Sequence, residues 1–480
     1  MIDNTHQEEA VFGRLPILHH EREYSFKGIS ATGFAQAIAT WCFLIGGYSA
    51  YYVGAVQGII TLIAGCVIGV TLSALSCALA CNRYGLEQID YTKSCFGQRG
   101  SQIIMFFYVI NQVGWTGLIL VMFANAFKNA ALTLGFNAGP YIVSIVTLLG
   151  ILAAYAITVR GVHMLNVFNM IVTPGLVIVC CALFYFIFKE HGWSALVSAM
   201  PLTPTEDKQF NYILSFEYGL GAGFSWWPGI GFLARNTDNQ RNSFYPQVLT
   251  MGFGMGVICL TGLFSALLFK TYDPTEWMLK IGGPVIGIAA LLLVAIANIS
   301  ASSAMIYIAG LSLRHIPFLR SIQWWKLLAV SCLPVMAFVF WPDYLYEKGN
   351  AFLAYNATMY APMSGVLLMD YLLLRKGKLN ISQIFESSKS GHYWFFGGFN
   401  IFALGCMIAG QIIYLLLLNP LDPTAFVPGH GMFKWFTASV PAILIPMVAY
   451  FILAKLFLLP SSCGGYRTQT APIPIQSPNI

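Results

Sequence analysis

The sequence predicts an all-α integral membrane protein with twelve transmembrane helices, and its composition and hydropathy support that fold class. Of the 480 residues, 57% are hydrophobic and only 9% are charged, and the mean hydropathy is +0.69. A soluble domain has about 25% charged residues. Uncharged runs such as 55–80 and 102–127 exceed the roughly 20 apolar residues that cross a bilayer as a helix. These values exclude a soluble fold.

Charged residues and Pro/Gly-rich breaks divide the apolar sequence into twelve candidate spans. Their centres lie near residues 41, 68, 115, 149, 175, 223, 258, 297, 336, 362, 406 and 446. The longest connections, near 189–211 and 375–393, are too short to hold a soluble catalytic domain. Any function must therefore reside inside the bundle of helices.

The two ends of the chain are predicted to be cytoplasmic tails, at 1–28 and 460–480. The first is polar and does not resemble a signal peptide, and the second is rich in Pro, Ser and Thr, which is typical of disorder. Most Lys and Arg residues fall on the side of the termini, so the positive-inside rule predicts a multi-pass protein of the cell membrane with both termini inside. This bias explains the net charge of +6 without a nucleic-acid partner.

The motifs of metal sites and enzymes are not found in the spans. The eleven cysteines lie mostly in apolar runs without a CxxC pair or a nearby His, so we interpret them as small buried residues. HExxH, GxSxG and clusters of His are also missing from the spans. We therefore expect neither an enzyme, nor a metal site, nor a cofactor other than a coupling ion.

The sixth span contains the segment FEYGLGAGFSWWPG, at 216–229, whose glycines and proline weaken a helix. Each Gly costs a helix about 1 kcal/mol and Pro costs about 3 kcal/mol, so we expect a discontinuous helix here. Gly46 and Gly47 form a milder counterpart in the first span. Weak helices in corresponding places of two halves indicate an inverted-repeat transporter with its site at the midplane. The alternative is that such glycines only let helices pack closely.

Glu217 is the only acid that falls well inside a span. A carboxylate in the membrane costs at least a few kcal/mol, so it is expected to face a wet cavity and to serve an ion, a proton or a substrate. The alternative is a position closer to the outer interface than the span boundaries indicate.

Aromatic and amide side chains cluster near the middle of the predicted membrane. Tryptophan is expected at the interfaces rather than at this depth. Flat π faces together with amides suit a planar heterocycle that is stacked on its faces and hydrogen-bonded at its edge. The residues concerned are Asn111, Gln112, Trp115, Trp226, Trp227 and Asn298.

Several segments resemble the nucleobase-cation symporters, the family of cytosine, allantoin and hydantoin permeases. Residues 96–127 are similar to the family's second-to-third helix region, and the Gln-Val-Gly-Trp element at 112–115 looks most like the cytosine-permease branch. Residues 362–380, with the family's Gly-Val, Asp-Tyr and Arg signature, and residues 393–400 are also similar. The end of the eighth span, at 306–311, aligns as well.

The resemblance implies the leucine-transporter fold. Two inverted five-helix repeats would occupy 29–188 and 189–374, with the first and sixth helices broken at their centres, and two further helices would occupy 375–459. By the same resemblance, Trp115 would stack on one face of the substrate and Trp226 on the other. Phe224 and Trp227 are alternatives for the second stacking role, because the alignment is ambiguous by an insertion.

The remaining site residues are also implied by the resemblance. Gly223 and Ser225 would present backbone or hydroxyl groups to the edge of the base, next to Gln112. On the eighth helix, where cytosine permeases have Thr-Thr-Asn-Asp-Asn, this chain has Ser-Ala-Ser-Ser-Ala. Ser302 and Ser303 therefore stand where amides would read a base, and cytosine itself is not favoured.

The coupling ion is predicted to be either Na⁺ or H⁺. The family's sodium ligands on the eighth helix fall on Ala297, Ser300 and Ala301, and two of these residues offer only a backbone carbonyl. Proton coupling through Glu217 is the alternative.

Together, these observations predict a secondary-active symporter that imports a nucleobase or a related small heterocycle by alternating access. The alternatives are a permease of the same fold for another solute, such as allantoin, a hydantoin, a vitamin pyrimidine or an amino acid, and a membrane sensor that does not transport. The expected partners are the small-molecule substrate and the lipid bilayer, and the protein is expected to be a monomer.

Overall fold

The computed structural model describes residues 15–136, 139–281, 283–319, 321–461 and 463–466, and these residues are almost entirely helical or in turns. Within these ranges, β pairing is limited to two isolated bridges, Tyr24 with Thr237 and Phe396 with Phe399. The all-α class predicted from the sequence is confirmed.

Within the described residues, twelve helical segments follow the predicted spans, and the first and the sixth are each divided into two helices. They are α1a (Phe26–Ala37), α1b (Thr40–Ser49), α2 (Ala55–Tyr84), α3 (Gly100–Thr133), α4 (Ile142–Val159), α5 (Val162–Glu190), α6a (Lys208–Ser225), α6b (Trp227–Arg235), α7 (Gln240–Phe269), α8 (Gly283–Leu313), α9 (Trp324–Phe340), α10 (Gly349–Leu374), α11 (Ile401–Leu417) and α12 (Ser439–Leu458). A short connecting helix, Gln88–Phe96, lies between α2 and α3.

Nine of these segments can cross a membrane by length and composition alone, when the bent pair α1a and α1b is taken as one span. Helices α9 and α11 are apolar but shorter. The sixth segment is divided into pieces of 18 and 9 residues. The chain is thus a multi-pass membrane protein. Its short or broken segments depend on packing against neighbouring helices to span the membrane.

The first helix is broken at Ile38 and Ala39, where α1a and α1b meet at a bend of 56°. The sequence-based position of this break, at Gly46 and Gly47, is wrong. A Cβ atom on Gly46 would lie 1.8 Å from the carbonyl oxygen of Cys259, so this glycine is needed for close packing of α1b against α7. Here the alternative interpretation of the glycines is the correct one.

A side chain from α8 stabilises the start of α1b after the break. The Asn298 Oδ1 atom accepts hydrogen bonds from the Thr40 backbone N–H, at 3.4 Å, and from the Thr40 hydroxyl, at 2.9 Å. Because the first N–H groups of a helix have no partner within it, a buried break needs an acceptor of this kind. Asn298 therefore joins the hinge of the first helix to α8.

The sixth helix is broken at Trp226, within the predicted segment. Helix α6a ends at Ser225 and α6b begins at Trp227, with Pro228 in its first turn. The glycines of α6a do not interrupt the helix. Gly219 and Gly223 instead face Gly65 and Gly69 of α2, and an added Cβ on Gly223 would lie 2.5 Å from the Val70 nitrogen.

The helices form two groups by their packing. In one group, extensive contacts join α6a to α2 and α7 to α1b. In the other group, α3 packs on α8, and α4 packs on both of them. Helix α9 packs on α4. A bundle of helices 1, 2, 6 and 7 therefore stands against a scaffold of helices 3, 4, 8 and 9, and both breaks belong to the bundle.

Both predicted tails are packed on the bundle where the structure describes them. The Tyr24 backbone N–H donates to the Asn236 carbonyl at 2.9 Å, and the Asp238 N–H donates to the Tyr24 carbonyl at 3.1 Å. At the other end, Tyr466 is buried. The prediction of disorder from residue 460 onward is therefore wrong for residues 460, 461 and 463–466, and residues 1–14, 462 and 467–480 lie outside the described residues.

A buried ion pair explains the Asp-Tyr and Arg signature at the end of α10. Arg375 Nε lies 2.6 Å from Asp370 Oδ2, and both side chains are buried. The other carboxylate oxygen accepts the hydroxyls of Tyr450, at 3.1 Å, and Tyr466, at 2.6 Å. The guanidinium also donates to the Ser94 carbonyl at 2.6 Å. Because each charge has several partners, burial of the pair is tolerated, and it connects α10, α12 and the connecting helix.

We expect Gly223→Ala to destabilise the protein and the neighbouring Gly221→Ala to be tolerated. The new methyl group at position 223 meets the backbone of Val70 and Gly69 at 2.5–2.6 Å, which cannot move aside without separating α2 from α6a, whereas atoms near position 221 lie 3.6 Å away. Overpacking of this kind costs about 1–3 kcal/mol. Thermal unfolding of both variants in detergent measures the effect, and equal midpoints would contradict the packing role of Gly223.

Candidate functional site

A small cavity lies at the level of the two breaks, between the bundle and the scaffold. It has space of about 30 Å³ for the centres of water-sized spheres. Its lining residues come from α1a, α1b, α3, the end of α6a, the break at Trp226, α6b and α8, and none of them is charged. They are Gln36, Trp41, Asn111, Gln112, Trp115, Ser225, Trp226, Gly229, Ala301, Ala304, Met305 and Ile308.

Helix α8 forms one wall of the cavity with a regular face. Ala301, Ala304, Met305 and Ile308 follow the i, i+3, i+4, i+7 spacing that places side chains on one side of a helix. Since two of these side chains are methyl groups, the wall is smooth and leaves space in front of it. The polar groups of the cavity come from the other helices.

Three tryptophans meet in the cavity. The ring centroid of Trp41 lies 5.5 Å from that of Trp115 and 5.3 Å from that of Trp226, with the planes tilted by 59° and 65°. The edge of Phe352 supports Trp115 at a centroid distance of 5.5 Å. The Trp226 Nε1 atom donates to the sulfur of Met255 at 3.1 Å. The cavity is therefore mainly aromatic, with two rings held in place from behind.

Amide groups supply the hydrogen-bonding capacity of the site. Asn111 Nδ2 donates to Asn356 Oδ1 of α10 at 2.6 Å, which fixes the orientation of Asn111. Gln36 and Gln112 also line the cavity. The buried indole N–H of Trp115 has no acceptor among the described residues. A ligand in this cavity would thus meet amide donors and acceptors and an unused indole N–H.

Six of the residues singled out in the sequence line this cavity. They are Asn111, Gln112, Trp115, Ser225, Trp226 and Ala301. Their part in binding or coupling stays a prediction, but the structure brings them together from four different segments.

The alternatives to Trp226 for the second stacking role lie away from the cavity. Trp227 is fully buried, donates to the Ser76 hydroxyl at 2.9 Å and stacks on Tyr360 at a centroid distance of 5.5 Å. Phe224 is also fully buried and does not line the cavity, because successive residues of a helix point about 100° apart. Gly223 packs on α2 and does not face the cavity either.

The serines placed in the site by the resemblance do not line the cavity. The Ser303 hydroxyl donates to the Ile299 carbonyl at 2.7 Å, and the Ser303 carbonyl accepts the Thr158 hydroxyl of α4 at 3.0 Å. Ser302 is fully buried and also lies off the lining. Both residues are on faces of α8 other than the one that carries Ala301, and their assignment to the base edge stays a prediction.

The positions expected to bind the coupling ion lie next to the hinge of the first helix. Ala297, Ser300 and Ala301 occupy the stretch of α8 around Asn298, whose side chain contacts Thr40 at the start of α1b. Only Ala301 of the three also lines the cavity. This arrangement brings the broken backbone of the first helix close to the α8 positions that the resemblance indicates.

Glu217 does not face a wet cavity. Its side chain is 2% exposed, and its carboxylate accepts the Ser439 hydroxyl at 2.5 Å and the backbone N–H groups of Ala438 and Ser439 at 3.2 and 3.3 Å. These donors form the start of α12, where the helix dipole favours a negative charge. The expectation of a solvated carboxylate is therefore wrong, because protein groups replace the water.

Sequence reasoning missed Trp41 and Gln36. Both belong to the first span, where they read as an ordinary apolar residue and an isolated amide. Their importance follows from the hinge between them, which carries no Gly or Pro. A tryptophan near the centre of the first span, matched by tryptophans near the centres of the third and sixth, was the available signal.

A second polar cluster lies at the end of the bundle that carries the N-terminal segment. His315 Nε2 lies 3.0 Å from Glu87 Oε2, and His315 Nδ1 lies 3.4 Å from Asp90 Oδ1. Carboxylate and imidazole groups this close could hold a metal ion. However, the Lys93 ammonium already lies 2.5 Å from Asp90 Oδ1. Burial raises the pKa of Asp90, but Lys93 and His315 outweigh burial and keep the pKa below its usual value. We interpret the cluster as ion pairs that join the connecting helix to the end of α8.

A family model matches most of the chain. The model, described as permeases for cytosine/purines, uracil, thiamine and allantoin, matches residues 16–439. Among curated proteins, the purine-uracil permease NCS1 of Arabidopsis thaliana is 24% identical over 365 residues, which is 68% of this chain and 58% of that protein. The allantoin permease of Bacillus subtilis is 22% identical over 236 residues, 47% of this chain and 44% of that protein. Each alignment thus covers less than two thirds of the relative's length.

Solved structures of transporters share the fold. The nucleobase-cation-symport-1 family transporter Mhp1, in a closed conformation with bromovinylhydantoin bound, gives a TM-score of 0.74 at 20% identity, covering 93% of this chain and 96% of that one. Inward-facing Mhp1 gives 0.74 at 18% identity, with coverage of 96% and 97%. A Na⁺-coupled sialic acid symporter gives 0.59 at 14% identity, with coverage of 94% and 93%. These similarities establish the leucine-transporter fold.

Proposed function

Because the chain belongs to the family of permeases for cytosine, purines, uracil, thiamine and allantoin, we propose that it imports a nucleobase or a related small heterocycle by cation symport. The observation that carries this proposal is the uncharged cavity of aromatic and amide side chains between two broken helices. A site at the breaks of a bundle is the place where transporters of inverted-repeat architecture bind substrate.

The chemistry of the cavity favours a neutral, planar substrate. Trp115 and Trp226 offer ring faces, while Gln36, Asn111 and Gln112 offer amide donors and acceptors. An amino acid carries two opposite charges, and buried charges require paired or polar partners. Since the described lining of the cavity holds no charged side chain, a heterocycle fits it better than an amino acid does.

The two helix groups support alternating access. The bundle of helices 1, 2, 6 and 7 is held together by close glycine packing, and the scaffold by contacts between α3, α4 and α8. Rocking of one rigid group against the other would open the cavity to either side of the membrane in turn.

The coupling cation would bind between the hinge of the first helix and α8. Carbonyl groups at the end of α1a have lost helical partners, and half-helix ends of this kind coordinate cations in transporters. Ala297, Ser300 and Ala301 would complete the site from α8. Glu217 is not needed in this scheme, because its carboxylate is fully occupied by the start of α12.

The proposal includes a monomer in the cell membrane with both termini in the cytoplasm. Its support is the excess of Lys and Arg in the loops on the side of the termini. The cluster of Glu87, Asp90 and His315 would then lie at the cytoplasmic end.

Uptake by purified protein in proteoliposomes tests the transport function. With sodium and proton gradients imposed separately, we expect one of them to drive accumulation of a radiolabelled heterocycle from a panel of nucleobases, hydantoins and vitamin pyrimidines. Liposomes without protein and vesicles without a gradient are the controls. Uptake that neither gradient drives for any compound would overturn the proposal.

We expect Trp115→Ala to weaken substrate binding by about 5- to 150-fold, because stacking of a base on an aromatic ring contributes about 1–3 kcal/mol. Isothermal titration of the purified variant with the transported compound measures the loss. Trp227→Phe is the matched control, since Trp227 is equally buried but lies outside the cavity. Unchanged affinity in Trp115→Ala would refute the stacking role.

We expect Glu217→Gln to lower stability by about 1–3 kcal/mol without changing the dependence of uptake on pH. Three groups donate to the Glu217 carboxylate, whereas a glutamine side chain has only one acceptor oxygen. Buried donors that lose their acceptor lower the stability by about this amount. Thermal unfolding and proteoliposome uptake at several external pH values provide the two measurements. A variant of normal stability that no longer responds to a proton gradient would instead identify Glu217 as the proton carrier.

A further inference from the structure

Trp41 occupies the space between the two tryptophans that are expected to stack on the substrate. Its ring centroid lies 5.5 Å from Trp115 and 5.3 Å from Trp226, and its side chain is 3% exposed. Aromatic rings in contact have centroids 4.5–7 Å apart. A ring at these distances from both neighbours therefore fills the place of a bound aromatic ligand.

The space left in the cavity is too small for a heterocycle. One water molecule needs about 10–15 Å³ of space for its centre. The cavity offers about 30 Å³ of such space, so it admits only a few water molecules. With the helices in this arrangement, a substrate can occupy the cavity only after a side chain that lines it has moved. The identity of that side chain follows from what holds each tryptophan.

Trp115 and Trp226 are fixed by groups behind the cavity. Phe352 of α10 supports Trp115, and the Met255 sulfur of α7 accepts the indole N–H of Trp226. The hydrogen bond of Trp41 is different, because its Nε1 atom donates to the Gln36 carbonyl at 3.3 Å. Gln36 lies in α1a and Trp41 in α1b, so this bond crosses the hinge and depends on the angle between the two half-helices.

We propose that Trp41 is the specificity-determining side chain of this site: it closes the empty cavity, is displaced by substrate, and limits the substrate to heterocycles with a single ring. This inference rests on the proposed function. Trp41 is anchored at the start of α1b by the contact of Thr40 with Asn298, so displacement moves its ring but leaves its bulk beside the cavity. The space gained is thus smaller than an indole, which suits one ring rather than two.

The role of Trp41 is opposite to that of the stacking residues. Removal of Trp115 or Trp226 takes away a binding surface and weakens every ligand. Removal of Trp41 takes away a competitor for the same space, so it should strengthen binding of ligands with two rings in particular.

Competition binding on the purified full-length protein tests the inference, with uracil, cytosine and hydantoin as single-ring probes and adenine, guanine and hypoxanthine as two-ring probes. We expect the wild type to bind its best single-ring probe at least about tenfold more tightly than any two-ring probe, and Trp41→Ala to reduce that ratio about tenfold or more. Trp41→Phe should give an intermediate ratio and keeps an aromatic ring if the alanine variant does not fold. Trp277→Phe, a buried tryptophan that packs on Phe43 outside the cavity, is the matched control and should leave the ratio unchanged.

The outcomes separate this inference from the proposed function. Equal affinity of the wild type for one-ring and two-ring probes, or a ratio that neither Trp41 variant changes, would overturn the role of Trp41 while leaving heterocycle binding intact. A wild-type protein that binds none of the probes would overturn the proposed function, and the inference with it.

Discussion

Backbone groups inside a membrane must find partners within the protein, and the break in the first helix meets this constraint through one side chain. Asn298 of α8 accepts two hydrogen bonds from Thr40, which gives the first N–H group of α1b a partner directly after the break at Ile38 and Ala39. The cavity exists because the helix can be interrupted there, and Gln36 and Trp41 face each other across the interruption. The same contact joins the bundle to the scaffold, so it supports the break of the first helix next to the cavity.

Small residues and buried polar contacts have different structural roles in this fold. Glycines of α2 and α6a allow two backbones to touch, which packs these two helices of the bundle tightly together. Glu217 connects that bundle to α12 through backbone N–H groups, and Asp370 with Arg375 connects α10 to α12. Helix α12 is therefore attached to two helices of the second half of the chain, α6a and α10, by charged side chains that do not line the cavity.

The sequence allowed the spans, the all-α class and the break in the sixth helix to be predicted, because hydropathy and Pro228 act locally. The break in the first helix could not be placed, since it carries no Gly or Pro and depends on Asn298, 258 residues away. Similarly, the partners of Glu217 lie at the start of α12, more than 220 residues further along the chain. Adjacent tryptophans at 226 and 227 could not be distinguished without the register of the helix, which turns one toward the cavity and the other toward Tyr360.

The network around Asp370 has a consequence for biosynthesis. Tyr466 donates to a carboxylate that is encoded 96 residues earlier, and Arg375 needs the carbonyl of Gly464 as well. Domains generally fold from the N-terminal end as the chain emerges, yet this charge pair cannot be complete until residue 466 has been made. Helix α10 is therefore made while its aspartate and the following arginine still lack these two partners, and the packing of residues 464–466 onto the pair is a late step.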